Sequence, residues 1–165
     1  MGYHVNPAPS NQSESTQHAR AHCVLVCNLG LVPYEPTWRL QQKLQRELVE
    51  GGGSETLLLC EHHPVITLGT SASEENLLVS REELKERGVE VFKIERGGDV
   101  TWHGPGQLVA YPILNLSKRR KDVGWYMRSL EEVVIRTLAH FNIEGQRVPG
   151  KAGVWTDEHS KIASL

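Results

Sequence analysis

The twelve residues from Arg96 to Gln107, RGGDVTWHGPGQ, hold the chain's most unusual chemistry. Gly97, Gly98, Gly104, Gly106 and Pro105 are more punctuation than a hairpin turn requires. Glycine lets a backbone come close to a ligand and turn its N–H groups toward it. Arg96, Thr101, His103 and Gln107 would then supply polar contacts at a pocket wall. A ligand-free glycine-rich loop explains the same composition equally well. No Gly-Lys-Ser/Thr closes the run and no GxGxxG occurs in it, so neither a nucleotide phosphate loop nor a dinucleotide turn is expected.

Lys161 is the second feature, opening the apolar run KIASL immediately after a polar turn. A lysine there is ordinarily a solvated strand end or an edge guard. A buried lysine, in contrast, stabilises a neighbouring thiolate and exchanges protons with it. Cys23, Cys27 and Cys60 fall within apolar, strand-like runs, where a thiol behaves as a small hydrophobe of raised pKa. All three are therefore expected to be buried and unreactive. No GxSxG nucleophile elbow is present. Of the histidines, His4, His18, His22, His140 and His159 are expected at the surface. His62 and His63 would face opposite ways in an extended segment, and HExxH and paired CxxC patterns are absent, so no metal site is expected.

These groups need elements to position them. CVLVCNL (Cys23 to Leu29), TLLLC (Thr56 to Cys60), VITL (Val65 to Leu68), Val89 to Ile94 and LVAYPIL (Leu108 to Leu114) read as strands, with Pro112 placing the last at an edge or bulge. Trp38, Leu40, Leu44 and Leu48 recur at helical spacing between Thr37 and Glu50, and Gly51 to Gly53 end that helix. Ser80 followed by Glu83 is a capping box, with Gly88 as the terminator. Met127, Leu130, Val134, Leu138 and Phe141 line one side of a longer helix. GVW, a polar turn and KIASL form a hairpin. Strict strand–helix alternation is missing, which predicts an α+β fold: a mixed, largely antiparallel central sheet with packed helices.

The whole chain has 165 residues, 39% of them hydrophobic, with 18 Lys and Arg against 20 Asp and Glu. A formal net charge of −2 gives no basic excess for nucleic acid. No apolar run approaches the roughly 20 residues that cross a bilayer. Three cysteines without pair spacing suit a reducing compartment. Residues 1–20, rich in Ser, Asn, Gln, Pro and His, are expected to be a disordered tail. They hold no apolar signal core, and Arg20 alone is too little for a transit peptide. Residues 21–165 are expected to form one domain.

Taken together, EHHPVITLG, RGGDVTWHGPGQ, WYMRSLEEVVIRTL and GVWTDEHSKIASL resemble the lipoyl (octanoyl) transferase family, in that family's order. The resemblance implies a fold similar to the biotin and lipoate protein ligase catalytic domain. It implies transfer of an octanoyl chain from octanoyl-acyl carrier protein to a lysine of a lipoyl domain, in 2-oxoacid dehydrogenase E2 subunits or the glycine cleavage H protein. By resemblance, Arg96, Gly97, Gly98, Asp99, Val100, Thr101, Trp102 and His103 bind the acyl substrate, with Trp102 where the family has Tyr or Phe. Ser164 and Leu165 match the start of a second substrate-contacting turn. Lys161 matches the lysine that lowers the pKa of the nucleophilic cysteine. That cysteine lies C-terminal to the lysine hairpin in the family, and none of the three present here matches it. A chain ending at Leu165 is therefore expected to lack its nucleophile and part of its acyl pocket. No cofactor, metal or ATP is implied, and a cytoplasmic monomer is expected. The rival readings are an ATP-dependent lipoate or biotin ligase of the same fold and a non-catalytic relative that binds acyl carrier protein or lipoyl domains.

Overall fold

The computed structural model describes residues 23–165; the predicted tail at 1–20 lies outside the described residues. Strand β1 (Leu25–Val32) leads into helix α1 (Tyr34–Val49), followed by β2 (Thr56–His62) and β3 (Val65–Leu68). A short helix α2 (Arg81–Glu86) precedes β4 (Glu90–Lys93), β5 (Val100–His103) and β6 (Val109–Ile113). Helix α3 (Val123–Ala139) leads to β7 (Gln146–Val148), β8 (Lys151–Trp155) and β9 (Lys161–Ala163).

The fold is α+β, and among the described residues its strands form three three-stranded sheets ordered β1-β2-β6, β4-β3-β5 and β7-β8-β9. β1 runs parallel to β2 and β4 parallel to β3, whereas β2–β6, β3–β5, β7–β8 and β8–β9 are antiparallel. The mixed, mostly antiparallel character thus holds, divided over three small sheets. β6 is an edge strand, so Pro112 withholds no N–H that an inner strand would need. Along β2 alternate residues turn inward, burying Thr56, Leu58, Cys60 and His62. Val65, Thr67 and Leu68 of β3 complete this part of the core with Tyr34, Thr37 and Leu48 of α1.

The helix signals act as expected, with three differences, one being that Phe141, expected on the packed side of α3, lies beyond its end and is exposed. Ser80 Oγ accepts the Glu83 N–H at 3.1 Å, but the Glu83 carboxylate turns to Arg87 rather than back to the cap. Gly88 takes φ +70° and closes α2. Helix α1 starts at Tyr34 instead of Thr37, since Pro36 is tolerated in a first turn and Thr37 Oγ1 donates to the Pro33 carbonyl at 2.9 Å.

Candidate active site

The segment from Arg96 to Gln107 is not one long loop. β5 runs through its middle, antiparallel to β3, with Val65 opposite His103, Thr67 opposite Thr101 and Leu68 opposite Val100. Two tight glycine turns remain, one at each end of a rigid strand.

The first turn folds over the end of β3. Gly69 N–H donates to the Asp99 carbonyl at 3.1 Å, Thr70 N–H to the Arg96 carbonyl at 2.9 Å and Ser71 N–H to the Gly98 carbonyl at 3.2 Å. Arg96 Nη2 donates to the carbonyls of Thr67 and Asp99, each at 2.8 Å, and Nη1 to the Gly97 carbonyl at 2.9 Å. The guanidinium therefore braces the turn from inside instead of projecting to a ligand. Asn76 Nδ2 holds the Asp99 carboxylate at 2.7 and 2.8 Å. A Cβ at Gly69 would stand 2.3 Å from the Gly98 carbonyl, so this approach requires glycine.

The second turn is braced as tightly. Gly106, at φ +85°, donates its N–H to Glu61 Oε2 at 2.6 Å. Gln107 Nε2 donates to the Trp102 carbonyl at 3.3 Å, which leaves Oε1 to accept from His103 Nδ1 at 2.7 Å. That partner puts the imidazole proton on Nδ1 and leaves Nε2 as the basic nitrogen. Burial pushes the His103 pKa below its usual 6.5, so the ring is neutral at pH 7.

His103 stands in an aromatic cluster that sequence reasoning missed. Its ring stacks 6.3 Å from Tyr34 and lies 6.0 Å from His62. His62 is fully buried, whereas its neighbour His63 is exposed, as alternation required. His62 Nδ1 donates to the Val32 carbonyl at 3.1 Å, and Nε2 accepts the Tyr111 hydroxyl at 2.8 Å. Burial lowers the His62 pKa and raises those of Tyr34 and Tyr111. The cluster is thus neutral, with four protonation-competent rings around the end of β5. The inward alternation of β2 was the available signal for His62; Tyr34 and Tyr111 gave none.

Cys60 Sγ lies 3.6 Å from His62 Nε2, but burial raises its thiol pKa, so this pair is no poised nucleophile. The expectation for Cys23 is corrected: it precedes β1 and is exposed, and Cys27 is only half-buried.

Lys161 belongs to a different sheet from Arg96 to His103, since β7-β8-β9 and β4-β3-β5 share no strand pairing. It is exposed at the start of β9, and Ser164 and Leu165 follow that strand, also exposed. Glu131, the one buried residue of α3, ties this hairpin down: Oε2 accepts Arg147 Nε at 3.0 Å and Oε1 the Gly153 N–H at 3.3 Å. Among the described residues no group of three or more His, Cys, Asp or Glu side chains is placed to hold a metal, and no helix is long and apolar enough to cross a membrane.

The fold is that of lipoate protein ligase catalytic domains. It superposes on a putative lipoate protein ligase of T. acidophilum with bound lipoic acid, at TM-score 0.58 and 16% identity, over 82% of this chain and 59% of that one. P. falciparum LipL1 in complex with lipoate gives TM-score 0.62 at 18% identity, over 84% of this chain and 42% of that one. The family described as lipoyl protein ligase A/B catalytic domain matches residues 33–165, and the chain belongs to it. Its sequence is 51% identical to an octanoyltransferase of Chloroflexus aggregans over 79% of this chain and 59% of the relative. It is 49% identical to an octanoyltransferase of Syntrophotalea carbinolica over 84% of this chain and 62% of the relative. The chain therefore spans about 60% of the length of these curated relatives.

Proposed function

We propose that residues 23–165 form the acyl-binding and lysine-bearing part of an octanoyltransferase of lipoate biosynthesis. The observation that carries this reading is RGGDVTWHGPGQ folded as two braced glycine turns around β5, in a chain half identical to octanoyltransferases. Arg96 fixes the first turn. Gly97, Gly98, Asp99, Val100, Thr101, Trp102 and His103 line the path of the octanoyl chain, and Ser164 and Leu165 close it. Trp102, 49% exposed, offers apolar surface for a hydrocarbon chain.

In the reaction a cysteine thiolate attacks the carbonyl carbon of octanoyl-acyl carrier protein, and the carrier leaves as its thiol. The lipoyl-domain lysine amine then attacks the acyl-enzyme thioester, forming an amide and releasing the cysteine. The incoming thioester is already activated, so no ATP enters. Lys161 stabilises the thiolate and exchanges protons with it. The family resemblance places the nucleophile after Lys161, a position that none of Cys23, Cys27 and Cys60 occupies, and burial pushes the Cys60 thiol pKa up. The acceptors are lipoyl domains of 2-oxoacid dehydrogenase E2 subunits and the glycine cleavage H protein, and the location is cytoplasmic.

The test is intact-protein mass spectrometry of the natural-source protein after incubation with octanoyl-acyl carrier protein. One octanoyl group on a cysteine C-terminal to Lys161, formed more slowly in Lys161→Ala, is the expected result. Acylation that needs ATP and free octanoate, or none at all, would overturn the reading in favour of a ligase or a binding protein respectively.

A further inference from the structure

Lys161 is directly opposite Trp155 in the β8–β9 register. Cross-strand partners share a face, and Lys161 Nζ stands 4.8 Å from the centroid of the indole ring. Lys151, the first residue of β8, brings a second ammonium to the same ring, also at 4.8 Å, while donating to the Glu158 carbonyl at 3.1 Å. A cation within roughly 6 Å of an indole face is attracted by the ring's quadrupole. The ring is the fixed member of this contact. Trp155 is only 9% exposed, and its strand is held to α3 by the Glu131 bond to Gly153. Gly153 takes φ +103°, and a Cβ there would stand 2.3 Å from the Ala163 carbonyl, so β9 is pressed against β8. The lysine stem, in contrast, has four rotatable bonds and an exposed position.

We propose that Trp155 is a positioning residue for the Lys161 ammonium and that Lys151 competes with Lys161 for the same indole. The stiff ring restricts where the ammonium of a flexible side chain rests, and it does so in the hairpin that carries the lysine of acyl transfer. This inference rests on the role given to Lys161 above.

Two measurements test it. By proton NMR, the Lys161 ε-methylene protons are expected upfield of those of Lys43, whose side chain is 65% exposed. Trp155→Leu should return them to the Lys43 position, Trp155→Phe should keep part of the shift, and Lys151→Met should increase it. In octanoyl transfer by the natural-source protein, Trp155→Phe should stay within about twofold of the parent. Trp155→Leu should lower kcat about tenfold with KM for octanoyl-acyl carrier protein unchanged, a split that general loosening of the fold would not give. Lys161 protons without an upfield shift, or a shift lost in Trp155→Leu at unchanged kcat, would overturn the proposal. If Trp155→Leu does not fold, an unchanged Lys161 shift in Trp155→Phe overturns it equally well. Unchanged transfer by Lys161→Ala beside an intact ring shift would instead remove the catalytic role of Lys161, so the two failures are told apart.

Discussion

Arg119 lays both of its Nη atoms on the carboxylate of Glu55, at 2.6 and 2.7 Å, across 64 positions of sequence. Glu55 is 5% exposed, and it also accepts the Asn115 N–H at 2.9 Å. The pair fastens the segment after β6 to the start of β2. Arg119 holds the Glu55 carboxyl down at about 2.

Removing one partner of such a pair leaves an uncompensated buried charge. Arg119→Met should destabilise the protein by about 3 kcal/mol in urea unfolding, more than Glu55→Gln does. Since the Glu55 pKa is depressed when folded, its contribution is complete above the usual carboxylate value of 4.5 and is lost as pH falls toward 2. Glu55→Gln should flatten the stability profile in that window. Parallel profiles for parent and variant would contradict this role.

His62 and His103 act in a separate, higher window. Burial favours their neutral forms, so the unfolded chain binds more protons than the folded one just below pH 6.5. Stability should therefore be full above pH 7 and decline as pH falls below the usual histidine value of 6.5. A His62→Gln and His103→Gln double variant should lose that decline while keeping the acid one assigned to Glu55, as read by urea midpoints across pH.

Arg96 satisfies several acceptors at once, which a single ammonium does not reproduce. Arg96→Lys should cost about 1–3 kcal/mol and raise KM for octanoyl-acyl carrier protein by loosening the first glycine turn. An unchanged melting temperature would show that the guanidinium does not brace the turn.

Gly69→Ala should cost about 1–3 kcal/mol, because its Cβ would meet the Gly98 carbonyl at 2.3 Å. Gly52→Ala, where nothing lies within 4 Å of the new Cβ, serves as the control and should leave the urea midpoint nearly unchanged.

What the sequence determined by itself was local. Helical spacing in α1 and α3, the Ser80 cap, the Gly88 terminator and the hairpin ahead of Lys161 all rest on contacts within a few residues, so composition and periodicity reveal them. The motif segments named the family for the same reason, since each is contiguous. Tertiary structure decided the rest. Only pairing with β3 makes Val100–His103 a strand among glycines that locally favour turns. Only the sheet register brings Tyr111 to His62 across 49 positions, or turns the Arg96 guanidinium inward onto Thr67 across 29. Glu131 reads as an ordinary polar residue of α3, yet it is the one that helix buries, because Arg147 and the Gly153 N–H lie on a later hairpin. Such pairs form between surfaces that exist only after distant strands align, and no short-range pattern encodes that alignment.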